Sequence, residues 1–198
     1  MRVKQVMSSP VITVPPDMRL KKVADLLVTH AISAVPVVDD GDLVGILSEA
    51  DLIPLGLAPD PRAHLAPPAD LPGDVPGVAA EAMTSDVIAL PEDADTAEAA
   101  RLMLEQRIKS IPIVRGRRVV GIVARRDLLE VLARSDEAIA RDLEHLLAGE
   151  LGPPNPYRVV VRDGIVELTG PVDPTRGRLA TLLARGVPGI VDVRLDEE

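Results

Sequence analysis

The 198-residue chain is 46% hydrophobic and 27% charged, ordinary for a folded protein, but it has no Phe, Trp or Cys and a single Tyr. Its core must be aliphatic, filled by Val, Leu, Ile, Ala and a few Met, and cysteine disulfides, thiol nucleophiles and cysteine metal sites are excluded. A net charge of −9 argues against a general nucleic-acid binder, which gains affinity by neutralising phosphates, and the missing aromatic rings remove base stacking.

The first residues, MRVKQVMSSPVITV, contain basic side chains but no continuous apolar run, so neither a secretory signal nor a membrane span is expected and the default is a cytoplasmic protein. Shifting the chain by 76 residues aligns it with itself without a gap. Met7 falls on Met83, Ile12 on Ile88, Pro15 on Pro91, Val35-Pro36 on Ile111-Pro112, Gly45 on Gly121 and Asp51-Leu52 on Asp127-Leu128. Residues 6 to 53 and 82 to 129 are therefore two copies of one unit.

Each copy reads as β-α-β-β-α. PVITV and DVIAL are short extended pieces. Apolar residues at helical spacing follow, Leu20, Val23, Ala24 and Leu27 in one copy, Thr96, Ala99, Ala100 and Met103 in the other. Two strands come next, AVPVVD and LVGILS joined by the polar turn DDGD, with SIPIVR and VVGIVA as their counterparts. A second helix is expected from Asp51 and from Asp127. Pro54, Gly56 and Pro59 should cut the first of these short, whereas LLEVLARSDEAIARDLEHLLAG can continue as one helix in the second copy.

Residues 54 to 80 hold seven prolines and no lasting period, and read as a linker or long loop. Residues 136 to 198 read as a separate small domain, α-β-β-α-β: an amphipathic helix through Ile139, Leu143, Leu146 and Leu147, a hairpin turning at Asp163-Gly164, a helix around RGRLATLLARG and a closing strand GIVDVRL. Charge is uneven, −2 for residues 1 to 53, −2 for 54 to 80, 0 for 81 to 135 and −5 for the tail.

The duplication, the apolar-Pro dipeptide and the Gly-apolar-apolar-Ser/Thr-x-x-Asp frame, met by GILSEAD and kept in GIVARRD except for Ala124 in place of the hydroxyl residue, together resemble tandem cystathionine-β-synthase (CBS) domains over about residues 3 to 135. DGIVELTG and VPGIVDV in the tail resemble a BON domain. The resemblance implies an α+β fold in which two CBS units, 1 to 53 and 81 to 135, pack as a pseudo-two-fold pair and are followed by a BON-like domain at 136 to 198. It implies a regulatory protein rather than an enzyme. An adenosyl ligand (AMP, ADP or ATP, with S-adenosylmethionine or NAD as other candidates) would bind in the clefts. A homodimer is implied, as is a membrane surface or protein partner for the BON-like domain.

Residue chemistry fits that picture. Ser48 stands at a helix start, where backbone N–H groups and the helix dipole suit a phosphate. Asp51 and Asp127 can each accept both hydroxyls of a ribose. Val35-Pro36 and Ile111-Pro112 offer apolar walls for a purine. The resemblance adds the backbone at Ile12 and Ile88 as base contacts and Lys109 as a phosphate contact.

Other readings of the same residues stay open. Ser48-x-x-Asp51 is also close to a capping box, and Asp127 is favourable to a helix dipole on its own. Arg125 and Arg126, beside Asp127 and not far in sequence from Arg115, Arg117 and Arg118, are individually solvated side chains or together a polyphosphate site. With Lys109 assigned to the Asp127 site, that second site is expected to take AMP, ADP or ATP, and the Asp51 site a less charged adenosyl ligand. Arg176 and Arg178 suit anionic lipid or plain solvent. Neither a nucleophile-base pair nor a metal-ligand spacing is apparent, and the Asp39-Asp40-Gly41-Asp42 run reads as a turn rather than a cation loop.

Overall fold

The computed structural model describes residues 1–56 and 76–197. Most of the Pro-rich stretch read as a linker, residues 57–75, lies outside them. The chain forms two compact units: residues 2–94 with 98–124, and Arg125 onward with Met1 and 95–97.

The first unit holds both strand pairs of the repeat. A single 3-10 turn at Val3–Gln5 leads in, followed by α1 (Leu20–Thr29), β1 (Ala34–Asp39), β2 (Asp42–Ser48) and α2 (Glu49–Gly56). The second copy repeats the series with α3 (Ala79–Ala82), β3 (Leu90–Pro91), α4 (Thr96–Glu105), β4 (Ser110–Arg115) and β5 (Arg118–Ala124). The strands form one sheet, β1-β2-β5-β4-β3, in which the two antiparallel hairpins meet edge to edge through Asp42 and Arg118. Asp40 and Gly41 both take positive φ, 47° and 90°, at the first turn, the backbone that a two-residue hairpin requires.

The core of the first copy is Val14, Leu20, Val23, Leu27, Val35, Val37, Leu47 and Ala79. Its helical members follow the i, i+3, i+7 spacing of one face of α1. Ala79 comes from the second copy, and this exchange recurs throughout the unit. Val3 and Lys4 donate their N–H groups to the carbonyls of Ala94 and Glu92, while Ala79 and Ala80 donate to Met18 and Pro16, each pair related by the 76-residue shift. Ser8 then pairs with Ile122 and Thr84 with Ile46 as antiparallel bridges.

The shared glycines sit where these crossing segments pass. A Cβ on Gly45 would lie 2.2 Å from Met83 Sδ, and one on Gly121 would lie 2.5 Å from Met7 Sδ and 3.1 Å from the Ser8 carbonyl oxygen. Glycine is required because each copy lays a methionine of its partner copy across that strand. The repeat therefore extends a few residues before 6 and 82, into the lead-in turns.

Two helix expectations change. α2 and α5 (Arg125–Leu132) have the same eight-residue length, starting two residues earlier than expected, so that Asp51 and Asp127 fall in the first turn. Pro54 is accommodated within α2. In the second copy the helix does not run on: it ends at Leu132, and Ser135 caps a new helix, α6 (Asp136–Leu151), by accepting from the Ala138 N–H. Ser135 with Asp136 and Glu137 is a helix-start signal, an N-cap hydroxyl followed by first-turn acids.

The second unit contains α5, α6, β6 (Arg158–Arg162), β7 (Ile165–Gly170), α7 (Pro174–Arg185) and β8 (Asp192–Glu197). From α6 onward the order is α-β-β-α-β. β7 is central, antiparallel to β6 and parallel to β8. Ile139, Leu143, Leu147, Tyr157, Val166, Leu168, Ala180, Ala184, Val187 and Val193 form its core.

The α5–α6 elbow is tied into this core unit by polar contacts. The Asp136 carboxylate accepts from the N–H groups of Asp163 and Gly164 at 2.8 and 2.9 Å, capping the β6–β7 turn. Arg134 donates to the Pro188 carbonyl at 3.0 Å and pairs with Asp142. Gly189, at φ +94°, lets the loop before β8 approach the Val131 carbonyl, which a Cβ would meet at 3.1 Å. Consequently α5, which belongs to the second copy in sequence, packs with the tail.

Candidate functional site

In the first unit a cavity of about 300 Å³ opens beside the start of α2, at the lower end of the ~300–1,000 Å³ usual for small-ligand pockets. Its walls come from both copies. Ala34, Ile46, Val87, Ile88 and Ile108 supply apolar surface; Ser33, Ser48, Glu49, Asp51, Asp86, Arg107 and Lys109 supply polar groups.

Local chain geometry explains why these residues converge. β2 ends at Ser48 and α2 begins at once, so the strand delivers Ser48, Glu49 and Asp51 to one rim. In the second copy the chain leaves α4 through Arg107 in a left-handed conformation, φ 55°, which reverses it into β4 and carries Arg107 and Lys109 to the other side. Ala31 does the same after α1, at φ 51°.

The hydrogen bonds at the α2 start are specific. Asp51 Oδ2 accepts from both the backbone N–H and the hydroxyl of Ser48, each at 2.7 Å. This contains the acid-to-backbone half of a capping box, with the serine hydroxyl also turned to the carboxylate as a donor. The Glu49 N–H donates to the Ser33 carbonyl at 3.0 Å. Asp51 is thus fixed through one oxygen, leaving Oδ1 as the atom a ligand hydroxyl would meet. Lys109 Nζ lies 3.8 Å from Glu49 Oε2, both side chains exposed.

Of the residues singled out from sequence, the cavity gathers Ser48, Asp51, Ile88 and Lys109. Lys109 was expected beside Asp127; the structure puts it in the cavity of Asp51. The second copy's lead-in segment links the two sides: Thr84 bridges Ile46 of β2, and Leu90 further along pairs with Ile113 of β4. Val35 and Ile111 are not cavity walls: both are 0% exposed, on strand faces turned into the core. Pro36 and Pro112 are also buried, and the Pro36 carbonyl accepts from Val14 N–H at 3.1 Å. Ile12 packs against the first copy's core.

The arginines do not gather as a cluster in the first unit. Arg115 is held by Glu92 through two hydrogen bonds of 3.1 and 2.7 Å, and Arg117 by Asp42 at 2.6 Å. That Arg115 pair holds the Glu92 carboxyl below the ordinary glutamate range and raises the guanidinium further. In the second unit, Arg126 pairs with Glu130 one turn along α5 at 3.2 Å. Arg125 and Asp127 stand with it in the first turn of α5.

Sequence reasoning passed over Glu49, Asp86, Arg107 and Ser33. The available signal for Glu49 was its repeat partner: the acid stands where the second copy has Arg125. Asp86 carried no comparable signal, because its counterpart is Pro10. Among the described residues no cluster of His, Asp and Glu is placed to hold a metal ion, and no helix is long and apolar enough to cross a membrane.

Comparison with known proteins places this architecture. The CBS domain family model matches residues 3–56 and 78–134, more than half of the chain, and the chain belongs to that family as a tandem pair. It is 32% identical over 126 residues to the CBS domain-containing protein YhcV of Bacillus subtilis, covering 64% of this chain and 81% of YhcV. It is also 32% identical over 153 residues to inosine-5′-monophosphate dehydrogenase of Methanocaldococcus jannaschii, where the match takes 75% of this chain but spans only 27% of the dehydrogenase. Among solved structures, the CBS domain pair of protein MJ0100 in complex with 5′-methylthioadenosine and S-adenosyl-L-methionine aligns with a TM-score of 0.55 and 30% identity, covering 67% of this chain and 96% of that pair.

Proposed function

We propose that the protein is a regulatory sensor whose Asp51 cavity binds an adenosyl ligand. The observation that carries this reading is the carboxylate of Asp51, anchored by Ser48 through one oxygen at the mouth of an apolar cavity built from both copies. Asp51 Oδ1 would accept a ribose hydroxyl, and Ile46, Ile88 and Ile108 would flank the base. The MJ0100 pair, crystallised with two adenosyl compounds, supports the ligand class.

A second site is proposed at the start of α5, where Asp127 takes the role of Asp51 with Arg125 and Arg126 beside it. The tail is proposed as a BON-like domain that receives the signal. The α5–α6 elbow, where Arg134 and Asp136 hold the loop before β8 and the β6–β7 turn, supports a mechanical link from α5 to the tail. Ligand binding shifts the arrangement of the copies by no more than the difference in affinity between their states.

One observation favours a second reading, self-association independent of ligand. Exposed apolar side chains recur at repeat-related positions, Val28 with Leu104 and Ile53 with Leu129, each more than half exposed. Calorimetric titration of the full chain with adenosine, 5′-methylthioadenosine, S-adenosylmethionine, AMP, ATP and NAD, in wild type and Asp51→Ala, separates the two. Loss of at least ~10-fold in affinity, ~1.4 kcal/mol, is expected in the variant. Equal affinities would remove Asp51 from the site, and no binding alongside a stable dimer would favour self-association.

A further inference from the structure

We infer that the Asp51 cavity selects adenosyl ligands that carry no phosphate, nucleosides and their thioether or sulfonium derivatives, and that Glu49 sets this selection. The inference rests on the adenosyl reading above and adds the charge class of the ligand.

Three observations converge. First, two backbone donors at the α2 start are already taken: the Ser48 N–H by Asp51 Oδ2 at 2.7 Å and the Glu49 N–H by the Ser33 carbonyl at 3.0 Å. A helix start attracts anions through such N–H groups, and satisfying two of them within the chain removes part of that attraction. Second, three carboxylates, Glu49, Asp51 and Asp86, line the cavity against two cations, Arg107 and Lys109. Third, the ammonium of Lys109 lies 3.8 Å from Glu49. A phosphate reaching for Lys109 would sit beside the Glu49 carboxylate.

Glu49 matters more than the other two acids because it acts twice, adding negative charge at the rim and occupying the lysine. Asp51 is reserved for hydroxyls, and Asp86 lies on the wall contributed by the second copy. Arg107, Lys109 and Glu49 are all exposed, so solvent weakens the pull or push of each on an anion. In the second copy the position of Glu49 is filled by Arg125, so the two copies carry opposite charges at the same point of the frame.

The test is calorimetry on the full chain with adenosine, 5′-methylthioadenosine, AMP and ATP, in wild type, Glu49→Gln and Glu49→Arg. Asp51→Ala identifies which heat belongs to this cavity. Methylthioadenosine is expected to bind this cavity at least ~10-fold more tightly than AMP, the factor that ~1.4 kcal/mol represents. Glu49→Gln should narrow that ratio and Glu49→Arg should reverse it. The AMP affinity gained by Glu49→Arg should also fall with added salt while methylthioadenosine affinity does not, as expected of an exposed charge contact. AMP binding as tightly as methylthioadenosine in wild type, in a manner abolished by Asp51→Ala, overturns the charge selection and leaves the adenosyl site standing. If no compound gives heat sensitive to Asp51→Ala, the adenosyl reading and this inference fall together.

Discussion

The two copies of the repeat use one backbone frame for different local chemistry. Where the first copy has Ser48-Glu49-Ala50-Asp51, the second has Ala124-Arg125-Arg126-Asp127, and where the first has Ser33 the second has Lys109. What they hold in common, the glycines and the crossing methionines, is packing. What differs lies around the Asp in the first turn of α2 and of α5. The difference teaches that the frame serves to interlock the copies, while charge at the first helical residue tells the two Asp positions apart.

The comparison is broken most forcefully at the glycines. Gly121→Val should cost ~1–3 kcal/mol, as overpacking does, because the added atoms meet Met7 and the fixed carbonyl of Ser8. Gly45→Val should cost a similar amount through Met83. Denaturant unfolding followed by circular dichroism measures both. A paired Gly45→Ala and Met83→Ala variant should recover part of the loss in a double-mutant cycle, since the clash is with that side chain alone. Strict additivity would deny that Met83 is the reason for glycine.

A smaller effect sharpens the contrast at the helix start. Ser48→Ala gives the first copy the residue of the second and removes the hydroxyl bond to Asp51, at a cost of ~0.5–1.5 kcal/mol. The backbone bond from residue 48 remains, so Asp51-dependent ligand binding should survive. Loss of that binding with unchanged stability would make the hydroxyl a ligand contact instead of a positioning group.

The smallest expected effect is with acid. Glu81, bonded by the Gly77 and Val78 N–H groups, and Glu92, bonded by Arg115, are both held below 4.5. A carboxyl with a lowered folded-state value stabilises above the unfolded value, and that contribution disappears as pH falls through the folded one. Stability should therefore decline below about pH 4.5 partly through the second copy, because the first has Gln5 and Pro16 at these positions. Glu92→Gln should flatten this decline in thermal unfolding measured across pH. An unchanged profile would show that the exposed Glu92–Arg115 pair contributes nothing measurable.

Much of the fold was legible because it is local and duplicated. Apolar spacing marked α1 and α4, alternation with turn residues marked both hairpins, and Asp163-Gly164 marked the hairpin of the tail. The continuous helix expected after Asp127 failed because apolar spacing persists through Ser135, and a cap followed by acids outweighs it. The site was legible in part. Of the cavity lining, Ser48 and Asp51 were singled out from the frame and Ile88 from the family resemblance, but Glu49 looked like a routine first-turn acid, and Val35 and Ile111 looked like walls although the sheet turns them inward.

By itself the sequence determined the gapless duplication, the aliphatic core, the order of elements in each copy and the Asp that ends each strand, since these follow from spacing along one chain. Only the tertiary structure decided that each copy lends its lead-in segment and a methionine to the other, that the shared glycines exist for that crossing, and that Lys109 faces Asp51. The physical reason is that each lead-in segment crosses to the other copy, Ser8 bridging Ile122 and Thr84 bridging Ile46, and so brings together residues tens of positions apart. No periodicity within either copy encodes which side of the other it will meet.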